Sequence, residues 1–388
     1  GADFILQSPY REKLAGKHIG LVSNRAALTK EGACVADLLL EHAEEFQYQL
    51  VALFSPEHGF FGEGYADEAV ADTVWKGIPL HSLHGKAKRP SAAQLRGIHL
   101  LIFDLQDLGV RSYTFASTLF SLMEEAARAK IPVLVLDRPN PLNGLVVDGP
   151  LLEKEWRSFV GYLEIPLCHG MTIGELARYF NQEYQVGCQL EVVPMQGWRR
   201  EMNYAETGLL WTPTSPHIPE PSSVFGYATT GGLGELSWVS IGIGYSLPFR
   251  LVGAPWIHGE DFASALQKQK LPGVIFQPLT YRPFFGKYAK ERCQGVLLLV
   301  YDSKVYLPVT TQLTLLGILK TLYPAKTAEL LQTKKDWTSF HRAWGTREVW
   351  QIFVQEKYPT WKLRGLHQKE RAQFLEKRQR YLLYEKES

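Results

Sequence analysis

The segment Ser55-Pro56-Glu57-His58-Gly59-Phe60-Phe61-Gly62 sets a carboxylate and an imidazole directly after the apolar run Leu50-Val51-Ala52-Leu53-Phe54. The run reads as a buried strand, so Glu57 and His58 are delivered into a loop at its end. The flanking glycines let backbone approach closely. Phe60 and Phe61 are placed to shield the carboxylate from water. A low dielectric disfavours the charged form and raises a carboxyl pKa. A carboxyl that keeps its proton near neutral pH is what a general acid requires. The same residues also fit a strand-end turn with a solvated Glu.

Other polar groups recur at the same kind of position. Ile19-Gly20-Leu21-Val22 reads as a strand ending in Ser23-Asn24-Arg25. His99 to Phe103 is another, ending in Asp104-Leu105-Gln106-Asp107, with Arg111 and Tyr113 just beyond. Val133 to Leu136 ends in Asp137-Arg138-Pro139-Asn140. Between them, Val35–Glu45 and Thr118–Lys130 show helical spacing of apolar residues. Alternating strands and helices, with strands apolar throughout, predict a parallel sheet covered on both faces. Ligands of such sheets bind beyond the carboxyl ends of the strands, where acids, an imidazole, an amide and Arg are expected to converge.

A further unit follows, with Thr172 and Glu175 as a capping box, a helix to about Tyr184 and a strand at Leu190–Pro194. His169 lies in the loop before that helix. Near residue 200 the texture changes to a Pro-rich loop containing His217, then a Gly-rich stretch from Gly231 to Gly244 that includes Glu235. Residues 1–200 are read as a Rossmann-like α/β domain and 201–388 as a smaller α+β domain. Lys369 to Tyr384 reads as a charged amphipathic helix with a solvated basic face.

Bulk properties narrow the function classes. The chain has 388 residues, 45% hydrophobic and 21% charged, as expected of a globular protein. A net charge of +2 gives no reason to expect a nucleic-acid partner. No apolar run reaches membrane-spanning length. The four cysteines, Cys34, Cys168, Cys188 and Cys293, form no C-x-x-C pair. Ser23-Asn24-Arg25 after the first strand is not a Gly-rich turn. Neither a G-x-G-x-x-G fingerprint nor a phosphate-binding P-loop is present, so no nucleotide cofactor is expected.

Assembled in order, these segments resemble the exo-β-N-acetylmuramidases, a glycoside hydrolase family acting on peptidoglycan fragments and once catalogued as a domain of unknown function. The resemblance rests on Leu53–Gly59, Phe103–Arg111 and Leu136–Gly144, then His169–Thr172 with Gly174-Glu175-Leu176. It continues through Val193-Pro194-Met195, Gly197–Arg200 and Leu251–Trp256. It implies a Rossmann-like domain, a smaller C-terminal domain and an active cleft between them. It also implies removal of a terminal N-acetylmuramic acid from the non-reducing end, with Glu57 as the catalytic residue. One segment departs from the pattern: Ser240-Ile241-Gly242-Ile243-Gly244 stands where the resemblance leads one to expect Ser-Glu-Gly-Arg-Gly. That Arg would suit the lactyl carboxylate of muramic acid.

The mechanism so expected is glycoside hydrolysis, with a second carboxylate beside Glu57 as base or nucleophile. Asp104 and Asp107 are the first candidates for it, Glu68 and Glu235 the next. His58 is placed to tune Glu57 or to hold a sugar hydroxyl. Arg111 and Arg138 are candidates for an acidic substituent, Arg138 also for a structural pairing with Asp137. Asn24, Tyr113 and Asn140 are candidate hydroxyl partners, and His169 and His217 further substrate contacts. Two alternatives remain open: a metal-dependent hydrolase using His58, Asp104, Asp107 and His169, and a muropeptide-binding protein without catalysis. The substrate class implies a periplasmic or secreted protein, with any leader expected outside this sequence, which opens on Gly1-Ala2-Asp3.

Overall fold

The structure, a computed structural model, describes every residue except Asp67, Lys86, Lys334, Lys335 and residues 386–388. In chain order the strands of the first part are β1 (His18–Ser23), β2 (Gln49–Ser55), β3 (Thr73–Trp75), β4 (Ile78–Ser82), β5 (Leu100–Asp104), β6 (Val133–Leu136), β7 (Asp148–Leu151), β8 (Pro166–Cys168) and β9 (Leu190–Val193). Seven of them form one sheet in the order β3-β4-β2-β1-β5-β6-β9. All its pairings are parallel except the hairpin β3–β4. From β4 onward this is the strand order of the doubly wound dinucleotide fold, with its switch point between β1 and β5. The Rossmann-like reading of the sequence therefore holds.

The apolar strands are explained by burial on both faces. Leu21, Leu53, Ile102 and Leu136 point into the layer that holds helix α1 (Val35–Glu41). Val22, Phe54, Phe103 and Val135 point into the opposite layer, with α2 (Phe115–Ala129) and α3 (Ile173–Glu183). The two sets alternate along each strand, as the two-residue period demands. At the start of α3 the expected capping box is present. The Glu175 amide donates to Thr172 Oγ1 at 3.2 Å, and the Thr172 amide donates to Glu175 Oε2 at 3.0 Å. Such a cap stabilises a helix by about 1 kcal/mol.

The remaining helices are α4 (Ser222–Gly234), α5 (Gly259–Gln267), α6 (Pro308–Leu322), α7 (Pro324–Leu331), α8 (Thr338–Trp344), α9 (Glu348–Gln355), α10 (Thr360–Gly365) and α11 (Gln368–Arg378). With them goes a small antiparallel sheet, β10 (Leu251–Ala254), β12 (Cys293–Val300) and β11 (Val274–Tyr281), in the order β10-β12-β11, on which α4 and α5 pack. This is the smaller C-terminal domain. Among the described residues no helix is long and apolar enough to cross a membrane.

Two local expectations change, and one hairpin is added. The Gly-rich stretch is not all loop, because α4 runs through Gly231, Gly232 and Gly234. A Cβ on Gly232 would lie 2.9 Å from Gln312 Oε1 and 3.1 Å from Trp344, so close packing against α6 and α8 outweighs glycine's poor helix propensity. The short hairpin β3–β4 was not read from the sequence, since Pro79 in β4 argues against a strand. The C-terminal helix stops at Arg378, which is buried and not part of a solvated face. Its guanidinium donates to the carbonyls of His169 and Gly170 at 2.9 and 2.6 Å.

Candidate active site

Glu57 leaves the end of β2 and its side chain is buried. Thr114, the residue before α2, donates its hydroxyl to Glu57 Oε2 at 2.6 Å. His84, just past β4, brings Nε2 to 3.8 Å from Oε1. The carboxyl group is therefore held from one side by a hydroxyl and approached from the other by a buried imidazole. Neither neighbour was singled out from the sequence. His58 has a positive φ of 72°, a sparsely populated conformation for a side-chain-bearing residue and one that clusters at functional sites. Its Nδ1–H donates to the Gly64 carbonyl at 2.8 Å, which leaves Nε2 of the neutral ring as an acceptor.

Glu57 and His58 open onto a cleft of about 800 Å³ whose walls come from both domains. The first domain adds Ser112, Tyr113, Thr114, Phe159 and Lys88. The second adds Tyr227, Glu235, Ile241, Ile243, Lys287 and Arg342, and the Pro-rich segment between the two adds His217. The size suits a small oligosaccharide. Tyr113 donates to Thr214 Oγ1 at 2.9 Å, and its ring meets Tyr227 edge-on at 5.8 Å. Burial holds the Tyr227 hydroxyl protonated far above neutral pH. Glu57 and Glu235 are both among the residues that line this cleft.

Other sequence candidates lie elsewhere. Asp104 is fully buried and gives both oxygens to Arg138, at 2.6 and 2.9 Å. Arg138 also donates to the Leu28 carbonyl at 3.0 Å. Its guanidinium thereby spans the loop after β1 and the end of β5, filling the switch-point crevice. Its ionic partner is Asp104 and not Asp137. Arg111 is buried and donates to three carbonyls, Pro150 at 2.9 Å, Ile165 at 2.6 Å and Trp344 at 2.8 Å. It ties the end of α8 to the first domain and faces no substrate. Asn140 donates to the Met171 carbonyl at 3.0 Å and accepts the Leu142 amide at 3.0 Å. It presses on Gly109 (φ 76°), where a Cβ would lie 2.1 Å from its Oδ1. Asn24 turns back to accept the Ala26 amide at 3.2 Å.

His169 is buried outside the cleft and its Nδ1 accepts the Met171 amide at 3.2 Å. Burial, then the charges of Arg378 and Arg111, push its pKa down to about 3. Glu68 is exposed and accepts the Tyr65 amide at 2.8 Å. Phe60 packs against Trp75 and Phe61 is exposed, so neither shields Glu57 as expected. The metal set proposed from sequence is not assembled, with Asp104 engaged by Arg138 and His169 remote from the cleft. Among the described residues the one group with metal-ligand spacing is Glu153, Glu348 and His367, none of them in that set.

Asp107 also misses the cleft. Its Oδ2 accepts the Gly109 amide at 2.8 Å, and Oδ1 accepts no hydrogen bond among the described residues. Burial pushes its pKa up to about 7. The native carboxyl thus keeps its proton up to about pH 7, whereas the unfolded one releases it near pH 4. The native state binds more protons across that window, so this group lowers stability as pH rises from about 4 to about 7. Asp107→Asn is expected to flatten that slope in urea midpoints measured across the window. Parallel slopes for variant and wild type would overturn the assignment.

Comparison with known proteins places this geometry. The N-terminal family model of the exo-β-N-acetylmuramidase NamZ matches residues 19–222, and the C-terminal model matches residues 225–384. The chain is 38% identical over 386 residues to the peptidoglycan β-N-acetylmuramidase NamZ of Bacillus subtilis strain 168, covering 99% of this chain and 91% of the relative. A DUF1343 family protein of Bacteroides fragilis superposes with a TM-score of 0.90 at 35% identity, covering 99% of this chain and 98% of the other. A second from the same organism gives 0.76 at 26% identity, over 100% and 98%. With both halves matched in order and the cleft built between them, the chain belongs to the exo-β-N-acetylmuramidase NamZ family.

Proposed function

We propose that this protein removes the non-reducing terminal N-acetylmuramic acid from peptidoglycan fragments, with Glu57 as the general acid. The observation that carries this reading is the buried Glu57 carboxyl, opening on a two-domain cleft and fixed by Thr114 at 2.6 Å. Glu57 gives its proton to the glycosidic oxygen as the bond to the leaving sugar breaks. As it breaks, positive charge develops on the ring of the muramic acid, which stays in the cleft while the protonated sugar beyond it leaves. Glu235 is the second carboxylate of the cleft and takes the role first considered for Asp104 and Asp107, as base toward water or as nucleophile. The Ser240–Gly244 segment does line the cleft with Ile241 and Ile243. The positive charge missing there is offered instead by Lys88, Lys287 and Arg342, all exposed on the cleft walls. One of these meets the lactyl carboxylate, and Arg342 offers the bidentate geometry. With that substrate we also propose a site of action outside the cytoplasm and a role in cell-wall recycling.

The test is release of free sugar from a chromogenic β-N-acetylmuramide, with the β-N-acetylglucosaminide in parallel and with and without chelator. Release from the muramide alone, indifferent to chelator, is expected. Release from neither substrate, with binding retained, would favour a binding protein.

Thr114 is a positioning residue in this scheme. Thr114→Val should lower kcat about tenfold or more, as loss of a hydrogen bond to a carboxylate does, with KM little changed. Thr114→Ser should restore it. A kcat unmoved by Thr114→Val would remove the residue from the mechanism.

A further inference from the structure

At the rim of the cleft, outward from Glu57, stands a row of aromatic rings. Tyr65, in the loop after β2, is 59% exposed, and Phe285, between β11 and β12, is 53% exposed. Their ring centroids lie 6.2 and 6.5 Å from that of His217, which is half-buried and lines the cleft. Burial, with His58 close by, keeps the His217 imidazole below its usual pKa, so the row is uncharged at neutral pH. Large exposed rings contiguous with a binding cleft mark a surface kept open for a ligand.

Both outer rings are held in place. The Tyr65 amide donates to Glu68 Oε2 at 2.8 Å and the Glu68 amide returns to the Tyr65 carbonyl at 3.1 Å. The Phe284 amide donates to the Gly244 carbonyl at 2.6 Å. Gly244 has φ 86°, and a Cβ there would stand 2.0 Å from the Phe285 carbonyl, so only glycine lets the two loops meet. Phe284 itself stacks on Tyr245 at 5.8 Å. The Ile243-Gly244 segment that lines the cleft therefore also seats the outer platform.

The direction follows from the residues. Glu57 is buried, His58 follows it, His217 lies near His58, and Tyr65 and Phe285 flank His217 at the rim. For an exo-acting enzyme the terminal sugar fills the deep end and the rest of the glycan leaves past the acid. We propose that Tyr65, His217 and Phe285 form a stacking platform for the first sugar beyond the cleaved bond, the N-acetylhexosamine that departs. Its C–H faces lie on the rings while its hydroxyls stay in water, a use suited to rings that are apolar and half-wet. The inference rests on the muramidase reading.

The experiment uses the full chain, Tyr65→Ala and Phe285→Ala, each with its thermal midpoint checked. Substrate is the β-1,4 disaccharide of N-acetylmuramic acid and N-acetylglucosamine, read by released muramic acid. Free N-acetylmuramic acid, which fills the deep end alone, is the competing inhibitor. Each variant is expected to lower kcat/KM for the disaccharide about 3- to 10-fold, the scale of one aromatic contact, with the inhibition constant within about twofold of wild type. An unchanged kcat/KM, or a parallel rise of the inhibition constant, overturns the platform while leaving the muramidase reading intact. Wild-type enzyme that releases no muramic acid overturns that reading and the platform with it.

Discussion

Glu57→Gln should lower kcat/KM on a β-N-acetylmuramide by about 10²- to 10⁴-fold, the usual contribution of a positioned general acid. The amide keeps the size of the carboxyl and can still accept from Thr114, which now stands 2.6 Å from Oε2. It cannot give up a proton to the leaving oxygen. The loss should therefore fall on kcat, with the muramic acid inhibition constant and the thermal midpoint close to wild type. The leaving group offers a second check. A substrate whose leaving group departs as a stable anion needs less protonation, so the deficit should shrink on a nitrophenyl glycoside relative to a sugar aglycone. Full activity of Glu57→Gln on the disaccharide would remove Glu57 from the chemistry.

The second large effect belongs to stability. Asp104→Ala leaves the Arg138 guanidinium buried without the carboxylate that now meets it at 2.6 and 2.9 Å. Breaking one partner of a buried pair costs about 3–5 kcal/mol, because the surviving charge is uncompensated. Urea unfolding should show that loss. Replacing both residues by apolar ones of similar size, Asp104→Leu with Arg138→Met, should recover much of it. A residue serving as catalytic base would behave in the opposite way, with activity lost and stability kept. A stable but inactive Asp104→Ala would return Asp104 to the site.

These two carboxylates show what the sequence can and cannot disclose. The position of Glu57 after a strand was legible because an apolar strand and a Ser-Pro-Glu-His-Gly turn are local features, and so was the capping box at Thr172. The sheet was legible because strands buried on both faces are apolar at every position. Asp104, Arg138 and Asn140 were correctly placed at strand ends, yet they satisfy one another or nearby backbone instead of facing the cleft. Position in the chain does not reveal where a polar side chain turns. Thr114 reaches Glu57 across 57 residues of sequence, and His84 follows a short hairpin that Pro79 disguised. Arg342 comes from a helix placed in part by Arg111, through the Trp344 carbonyl at 2.8 Å. Thr114 and His84 meet Glu57 only once the first domain has folded, and Arg342 joins the cleft only once the domains have docked.

The C-terminal tail adds a constraint on biosynthesis. Glu175 and Asp137 are buried in the first domain. Glu175 Oε1 accepts the Leu383 amide at 2.8 Å, and Asp137 Oδ2 accepts the Tyr384 hydroxyl at 2.6 Å. The donors that complete these two carboxylates are therefore translated roughly two hundred residues after them. A ribosome-bound chain that has finished the first sheet still lacks them, and it waits, partly unsealed, for the last turn of the message to be read. The first domain already supplies donors to both, Arg200 to Glu175 and Thr172 to Asp137, so the tail adds the last of several bonds, and a chain truncated before Leu383 is expected to fold with a lower thermal midpoint.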